Sequence, residues 1–552
     1  MRHIGIDLGT SNSLIAEVTK DEKGQIEVAC LKNNLNKYSF SSVLSYVERN
    51  KCYFGETAEE RLLTHPNSTI SMIKTRLGTT TAVPVEINGK ICNISPQEIS
   101  ATLLKQLTYR YGDKLNRAVL TKPANYGVNQ NQALKEIEEI SGFDVVDLIE
   151  EPSAAVMYHL FSEYKNKKIK LSDYDKKKNI LVFDFGGGTL DLSLVSVENK
   201  EDGLSTKVIC NEGNCNLGGE LIDLMFERVV LQILTNKKDT DKMRKISEEF
   251  EFFYNNFINN NPLTFRKTAS ENEIKFLYKL KKELENAKIK LSSEDSVSIK
   301  MDGFDKFTIS RDEFERYVLA DYDNEAGIKE KIRDLVVKIS HFAYRKNIKI
   351  YQIVFVGGTS NIPYIRKLVT EELKAMIEDY NDENVFISNE YDSAIVKGAA
   401  ILCAIKDGMQ IAPFNGEVCQ TIVSRKIESD YKGNKTILVN EGEEYPFEKD
   451  KVLKFKIKNA LAPYQTIKFN ELDEFSDGTQ ISRNVLDFNF YLPIYYTNDD
   501  LTLHFNIDKN GLYKMKLIHE FTGDEIDFEH KIVGSLTKNQ KDEAIKILGR
   551  LK

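Results

Sequence analysis

A positive charge excess, regular cysteine spacing and long apolar runs are all missing from this 552-residue chain. Its formal net charge is −8, which disfavours broad nucleic-acid binding, and its local basic runs carry no matching aromatic pattern. Seven cysteines, an odd count without regular spacing, argue against a disulfide framework and fit a reducing compartment. The nearest pair, Cys210 and Cys215, lacks the His or Cys partners of a metal site and reads as structural. No run approaches the roughly 18 apolar residues of a membrane span. Met1-Arg2-His3 leads straight into a strand-like run carrying Asp7, without an unbroken apolar h-region. The expectation is therefore a cytoplasmic protein with no membrane and no nucleic-acid partner. A G-x-x-x-x-G-K-[ST] run is also absent, which excludes a P-loop.

The length calls for two or more domains, and 41% hydrophobic with 29% charged residues is an ordinary globular balance. Residues 180–195 organise the chain. Two short apolar runs, Ile180–Phe183 and Leu192–Val195, read as buried strands around Asp184, Gly186, Gly187, Gly188, Thr189 and Asp191. The three glycines allow backbone amides to turn inward on an anion, and the flanking aspartates suit a metal ion held against phosphates. Taken alone, such a turn can equally be only a turn. Residues 4–18 repeat the pattern: an apolar strand ends in Asp7, Gly9, Thr10 and Ser11 follow, and a second strand begins. Two such hairpins imply a duplicated fold whose halves grip one polyphosphate from opposite sides.

With GIDLGTSNS at 5–13, VFDFGGGTLD at 182–191, EEPSAA at 150–155 and FVGGTSNIP at 355–363, the chain resembles the 70-kDa heat-shock protein family, the DnaK-type chaperones among the actin-like ATPases. The resemblance is strong to about residue 407 and weaker beyond. It implies a two-lobed, duplicated actin-like α/β ATPase domain over 1–406, a linker over 407–413, a mainly antiparallel β-sandwich peptide-binding domain over 414–534, and one short C-terminal helix over 535–552, a truncated lid. The activity implied is ATP-dependent chaperoning, in which ATP hydrolysis to ADP and phosphate regulates binding and release of unfolded segments in protein folding and stress response.

The family's roles carry over residue by residue. Asp7 and Asp184 would hold the water shell of Mg²⁺, with K⁺ as a second candidate ion. Gly9, Thr10, Ser11, Asn12 and Gly186–Gly188 would bind phosphate. Lys74 would stabilise charge at the terminal phosphate, Glu151 and Asp191 would orient the attacking water, and Thr189 would place the phosphoryl group. Gly218, Gly219 and Glu220 match a third glycine segment. Glu285, Lys288 and Ser292, spaced about one turn apart, would meet the adenosine together with Gly357, Gly358, Thr359, Asn361 and Asp392. Without the resemblance, Lys74 reads as a solvated charge, Glu151 as a helix-start carboxylate and the 285–292 face as plain surface.

Three departures stand out. Asn361 replaces the arginine that stacks on adenine. Asn131 stands where an arginine relays nucleotide state from near Pro123. The linker keeps Met409 and Ile411 without the continuous leucine run. Phe250–Phe265 reads as a surface elaboration and Lys165–Lys178 as an exposed loop. Past the linker, short alternating apolar runs and Asn510-Gly511 predict strands and a hairpin. Leu453 and Ile467 are candidates for lining a peptide groove or, equally, for packing the core. The implied partners are extended polypeptide clients, a J-domain co-chaperone and a nucleotide-exchange factor. The alternatives are a nucleotide-sensing scaffold or uncoupled ATPase, a filament protein, and a sugar or acetate kinase of the same fold.

Overall fold

A computed structural model describes residues 2–33, 35–109, 111–112, 115, 117–200, 203–214, 217–237, 240–258, 270–301, 303–320, 327–381, 384–387, 392–415, 419–423, 425–456, 464–474, 480–491 and 500–551. Each of the predicted hairpins lies inside its own sheet. In the first, His3–Asp7 pairs antiparallel with Asn12–Lys20 on one side and parallel with Arg117–Lys122 on the other. Ile26–Cys30 and Asp144–Glu150 extend the two sides. In the second, Lys178–Phe185 pairs antiparallel with Leu190–Lys200 and parallel with Gln352–Val356, and Gly203–Asn214 and Val385–Ile387 extend it. The duplication is thus one of topology. Ile180 through Phe185 are buried without alternation, as expected of a strand covered on both faces.

Helices Glu151–Lys165 and Ala394–Lys406 cross between the two sheets. Glycine makes the crossing possible: a Cβ on Gly398 would lie 1.9 Å from the Ala154 carbonyl oxygen, and one on Gly5 would lie 2.4 Å from the Ala400 nitrogen. The resulting interlobe core joins Leu14 and Val119 of one sheet to Val182 and Val354 of the other through Val156, Leu160, Val396 and Ala400. Rigid packing across this seam fixes the distance between the two hairpins.

The second lobe adds helices Gly219–Lys237, Asp241–Ile258 and Glu271–Leu291. Here the aromatic segment differs from expectation. Phe250, Tyr254 and Phe257 recur at helical spacing and are buried in the second-lobe core while Phe252 and Ile258 stay exposed, so the described part of the segment is an amphipathic helix with one face in the core. Residues 259–265 lie outside the described residues, as does Cys215. None of the six described cysteines is in a disulfide. In the stretch 165–178, Tyr174 on a short 3₁₀ turn is buried while the lysines around it are exposed or half-buried. No described helix is long and apolar enough to cross a membrane.

The segment 407–413, expected as a linker, is held and not loose. Asp407 accepts from Arg117 at 2.6 Å and pairs with His3 at 2.9 Å, Pro413 accepts from the Leu204 amide at 2.8 Å, and Ile411 and Phe414 enter the interlobe core. Met409 packs against that core, so the two apolar side chains kept at 409 and 411 both seat there without a leucine run. Cys419–Ile422 then adds a parallel strand to Gly203–Asn214.

The β-domain packs a five-stranded antiparallel sheet against a three-stranded one. Phe469, Phe488, Phe505 and Tyr513 dominate the core between them, with Phe469 and Phe505 stacked at 5.6 Å. Ile467 is fully buried there and Leu453 packs against it from a partly exposed position, so Ile467 is core. Asp500–Ile507 and Tyr513–His519 form the hairpin around Asn510-Gly511, through a loop whose Asp508 carboxylate accepts from the Asn510 and Leu512 amides.

This domain rests on the first lobe. Glu471 accepts from the Val128 amide at 3.0 Å, at the N-terminus of helix Val128–Ser141. Asn131, on the same helix, accepts from Lys122 at 3.3 Å and donates to the Gly511 carbonyl at 3.4 Å. The residue expected to lie on the relay between domains is therefore in the interdomain contact. The C-terminal helix Lys538–Leu548 also packs on the first lobe: Ala544 and Leu548 share its core with Leu134 and Ile137, and Lys541 pairs with Glu139 at 2.8 Å.

Candidate active site between the lobes

The two hairpin loops face each other across a cavity of about 630 Å³. Their approach is close enough to depend on glycine. A Cβ on Gly187 would meet the Ser11 hydroxyl at 2.2 Å, and one on Gly188 would meet Thr10 at 2.4 Å. Each loop is braced from behind. Ser42 donates its hydroxyl to the Gly9 carbonyl and its amide to the Ser11 carbonyl, both at 2.8 Å. On the opposite side the Gly219 and Glu220 amides donate to the Gly186 and Gly187 carbonyls at 3.0 and 2.7 Å, and Thr359 donates to Gly186 at 2.8 Å.

The wall of the cavity gathers nearly every residue singled out in the sequence: Asp7, Gly9, Thr10, Ser11, Asn12, Lys74, Glu151, Asp184, Gly186–Gly188, Thr189, Gly219, Glu220, Glu285, Lys288, Ser292, Gly357, Gly358, Thr359, Asn361 and Asp392. Gly218 and Asp191 stand behind it. Gly218 is a prop, since a Cβ there would lie 2.4 Å from the Gly188 carbonyl carbon. Asp191 is buried and accepts from Asn125 at 3.0 Å, while its second oxygen has no hydrogen-bond partner.

At the hairpin end Lys74 donates to Glu151 at 2.6 Å, and Asp7 accepts from Thr121 at 2.6 Å. Lys74 follows Met72 and Ile73 on a short 3₁₀ turn; Ile73 sits in the first-lobe core and so anchors the turn. Burial opposes the Lys74 charge, but Glu151 and Asp7 outweigh it and hold the ammonium above its ordinary value. Burial, then the charges of Glu151, Asp191 and Asp7, push the Asp184 carboxyl well up. Burial and Glu151 raise Asp191 to about 7. Glu151 itself is raised by burial against the pull of Lys74. Crowded carboxylates around one ammonium are a donor set that favours added positive charge. The buried Ser11 hydroxyl and the second Asp191 oxygen, both without a partner, are polar groups of the kind a phosphate and an ordered water satisfy. The residues fit a nucleotide polyphosphate with a hydrated divalent cation. Among the described residues no group of three or more His, Cys, Asp or Glu is placed to ligate a metal directly.

At the other end, helix Glu271–Leu291 brings Lys281 to Glu220 at 2.6 Å and Lys288 to Asp223 at 2.7 Å. Asp223, Ile289, Ser293 and Arg366 also line the cavity, and the sequence reading missed them. Burial raises Asp223 to about 7 against the attraction of Lys288. Arg366, whose guanidinium is lowered by burial, lies in helix Pro363–Leu373, which starts just after Asn361. Glu285 and Lys288 lie one turn before Ile289 and Ser292–Ser293 on the same face, so helical spacing is the one signal available for the missed pair.

The family model described as Hsp70 protein matches residues 3–251 and 247–548, across both lobes and the β-domain. The chain belongs to the Hsp70 family. Hsp70 proteins are typically ATPases that bind ATP and ADP and take polypeptide substrates. This Hsp70 chain is 26% identical over 576 residues to the chaperone protein DnaK of Carsonella ruddii (strain PV), covering 98% of this chain and 85% of that one. It is 26% identical over 550 residues to DnaK of Thermoplasma volcanium, covering 98% and 79%. To DnaK of Thermosipho melanesiensis it is 28% identical over 436 residues, covering 78% and 63%. The actin-like α/β domain, the antiparallel β-domain and the helix that follows it are the Hsp70 order of parts.

Proposed function

We propose that this chain is an ATP-hydrolysing chaperone whose nucleotide state sets the affinity of the β-domain for extended polypeptide. The observation that carries it is the convergence of Lys74, Glu151, Asp184, Thr10 and Thr189 on one cavity between hairpins that touch through Thr10 and Gly188. Phosphoryl transfer to water asks a protein mainly for positioning and charge stabilisation. Thr10, Ser11 and the Gly186–Gly188 amides hold the phosphates from two sides. Lys74 neutralises charge developing on the terminal phosphate. Glu151 and Asp191 orient the attacking water, and a raised Asp191 suits taking its proton near neutral pH. Asp7 and Asp184 would hold the water shell of Mg²⁺, with K⁺ a second candidate, and the cation would supply neutralisation of phosphate charge. Glu285, Lys288, Ser292, Gly357, Gly358 and Asp392 line the end that takes adenosine. Arg366 supplies a guanidinium to the cleft in which Asn361 brings none.

Coupling runs through contacts at the linker and at Val128–Asn131, and it is reciprocal: peptide changes nucleotide affinity by the factor with which nucleotide changes peptide affinity. The domain division proposed is 1–406, 407–413, 414–534 and 535–552. A cytoplasmic setting, a J-domain co-chaperone and a nucleotide-exchange factor complete the reading. The test is dissociation of a fluorescent unfolded peptide in ATP and in ADP, with wild type and Lys74→Ala. Faster release in ATP, lost in the variant, is expected.

One observation favours a second reading, a nucleotide-sensing scaffold with no client cycle. The β-domain is tied to the ATPase domain at both ends, by the linker core and by Ala544 and Leu548. Peptide affinity indifferent to nucleotide, with hydrolysis intact, would select it.

A further inference from the structure

Asp191 belongs to the second lobe's hairpin, yet a side chain of the first lobe holds it. Asn125, just past Pro123, donates from Nδ2 to Asp191 Oδ1 at 3.0 Å. The other carboxylate oxygen, Oδ2, is buried with no hydrogen bond. Burial and Glu151 oppose the Asp191 charge, and Thr189, on Asp191's own hairpin, eases it. Asn125 comes from the opposite side, between strand Arg117–Lys122 and helix Val128–Ser141 of the first lobe. It is not among the described residues that line the nucleotide cavity. It lines a smaller adjoining cavity of about 340 Å³, which shares Thr10, Lys74 and Thr189 with the first.

Packing leaves room for this crossing. Gly213 is the register partner of Asp191 on the neighbouring strand Gly203–Asn214. A Cβ at 213 would lie 2.4 Å from Asp191 Oδ1 and 2.7 Å from Asn125 Nδ2, in the gap where amide and carboxylate meet. The turn that presents Asn125 is itself fixed. The Tyr126 amide donates to the Pro123 carbonyl at 3.3 Å, the Gly127 amide to the Gln130 side chain at 3.2 Å, and the Val128 amide to Glu471 of the β-domain at 3.0 Å.

We propose that Asn125 is a positioning residue for ATP hydrolysis: reaching across the cleft, it fixes the Asp191 carboxylate in the orientation that the attacking water needs, and does so only with the lobes closed. The inference rests on the ATPase reading above and adds to it the bond that ties closure to the water-orienting group. A carboxylate can turn about its side-chain torsions unless an oxygen is held. One charge-assisted bond to Oδ1 removes that freedom and leaves Oδ2 to accept from water. In the reaction water's oxygen joins the terminal phosphorus as the bond from phosphorus to its bridging oxygen breaks, giving ADP, orthophosphate and one proton. Asn125 forms no covalent bond and carries no proton. When the lobes part, it withdraws from Asp191 and the carboxylate is free to turn.

The experiment uses the full chain. A single turnover with MgATP, quenched in acid, reads cleavage, and an equilibrium titration with MgADP reads nucleotide affinity. Loss of one hydrogen bond to a charged group in the transition state corresponds to about tenfold in rate. Asn125→Ala is expected to slow cleavage about tenfold with MgADP affinity unchanged. Gly213→Ala keeps both side chains and fills the gap between them, and is expected to slow cleavage to a similar extent. In an Asp191→Ala chain, Asn125→Ala is expected to add no further loss, because the bond through which it acts is already gone. Cleavage at the wild-type rate in both Asn125→Ala and Gly213→Ala would overturn the proposal and leave the ATPase reading standing. So would a loss that reappears in full in the Asp191→Ala chain, as a merely structural role would give, or a loss confined to MgADP affinity. A wild-type chain that cleaves no ATP would overturn the ATPase reading and this inference together.

Discussion

The first lobe's hairpin turns through one glycine and two hydroxyls, Gly9, Thr10 and Ser11, whereas the second turns through Gly186, Gly187 and Gly188 between two aspartates. Strand order and pairing around them are the same. What differs is charge and its surroundings. The second lobe carries the buried acids Asp184, Asp191, Asp223 and Glu227, all raised; the first lobe supplies Lys74 to answer the pair nearest the cleft. Duplication thus supplied the geometry of a two-sided grip, and divergence set a first-lobe ammonium, itself paired with Glu151, against acids of the second lobe. On the proposed ATPase reading, phosphoryl transfer then requires both lobes at once, which would make lobe closure a condition for turnover.

The sharpest way to break the comparison is Lys74→Ala. It removes the cation and leaves Glu151 buried without its 2.6 Å partner. Turnover with saturating MgATP, followed as phosphate produced, should fall roughly 10²–10³-fold. Turnover equal to wild type would mean that the two lobes do not divide the charge as argued. Next in size is a contrast between neighbouring glycines. Gly188→Ala places a methyl 2.4 Å from Thr10 and forces the hairpins apart, whereas at Gly186 the nearest atom is 3.8 Å away. A displacement on that scale corresponds to about a hundredfold in rate. Gly186→Ala should stay near wild type in the same assay, and equal losses in both would remove the close approach as the reason for glycine here.

Both hairpins were legible in the sequence because an apolar strand ending in Asp, followed by glycine and hydroxyls, leaves little else for the backbone to do. Lys74 and Glu151 were not legible from pattern. One sits on a four-residue 3₁₀ turn and the other opens a helix, and only the resemblance raised them above solvated charges. Asp223 and Arg366 escaped because they belong to amphipathic helices whose period reports which face is buried and not what faces the cleft. The same limit explains the aromatic segment: Phe250, Tyr254 and Phe257 follow a helical period that the Asn-rich composition around them obscures. The seat of the C-terminal helix was illegible for another reason. Its apolar stripe of Ala544 and Leu548 says that a partner exists, while the partner, Leu134 and Ile137, lies some four hundred residues earlier in sequence.

That helix gives the third test, because it braces the first lobe, whose core takes Ala544 and Leu548. Leu548→Ala empties a buried position and should cost about 2–5 kcal/mol. Hydrogen exchange locates the loss: protection should drop in helix Val128–Ser141 and hold in Glu271–Leu291. Equal loss in both lobes, or none, would contradict a brace confined to the first.

The smallest effect probes the second lobe's acids away from the chemistry. Burial, against the attraction of Lys281, raises Glu227 to about 8 from an ordinary 4.5. Below the ordinary value both folded and unfolded chains carry the proton. Between there and about 8 the unfolded chain has ionised and the folded one has not, so each rise in pH favours unfolding. Above that, both are ionised and the penalty is constant. Asp223 adds a fall of the same sign up to its own value of about 7. Glu220, lowered because Lys281 outweighs its burial, acts in the opposite sense: its contribution is present at neutral pH and is lost on acidification. Glu227→Gln removes one component of the fall and none of the rest. Melting temperatures of the nucleotide-free variant and wild type should therefore coincide near pH 5 and separate towards pH 8, with the variant the more stable. Parallel curves across that range would show that the second lobe's buried acids are stabilised by neighbours and do not hold their protons, and the contrast in charge between the lobes would narrow to the cleft itself.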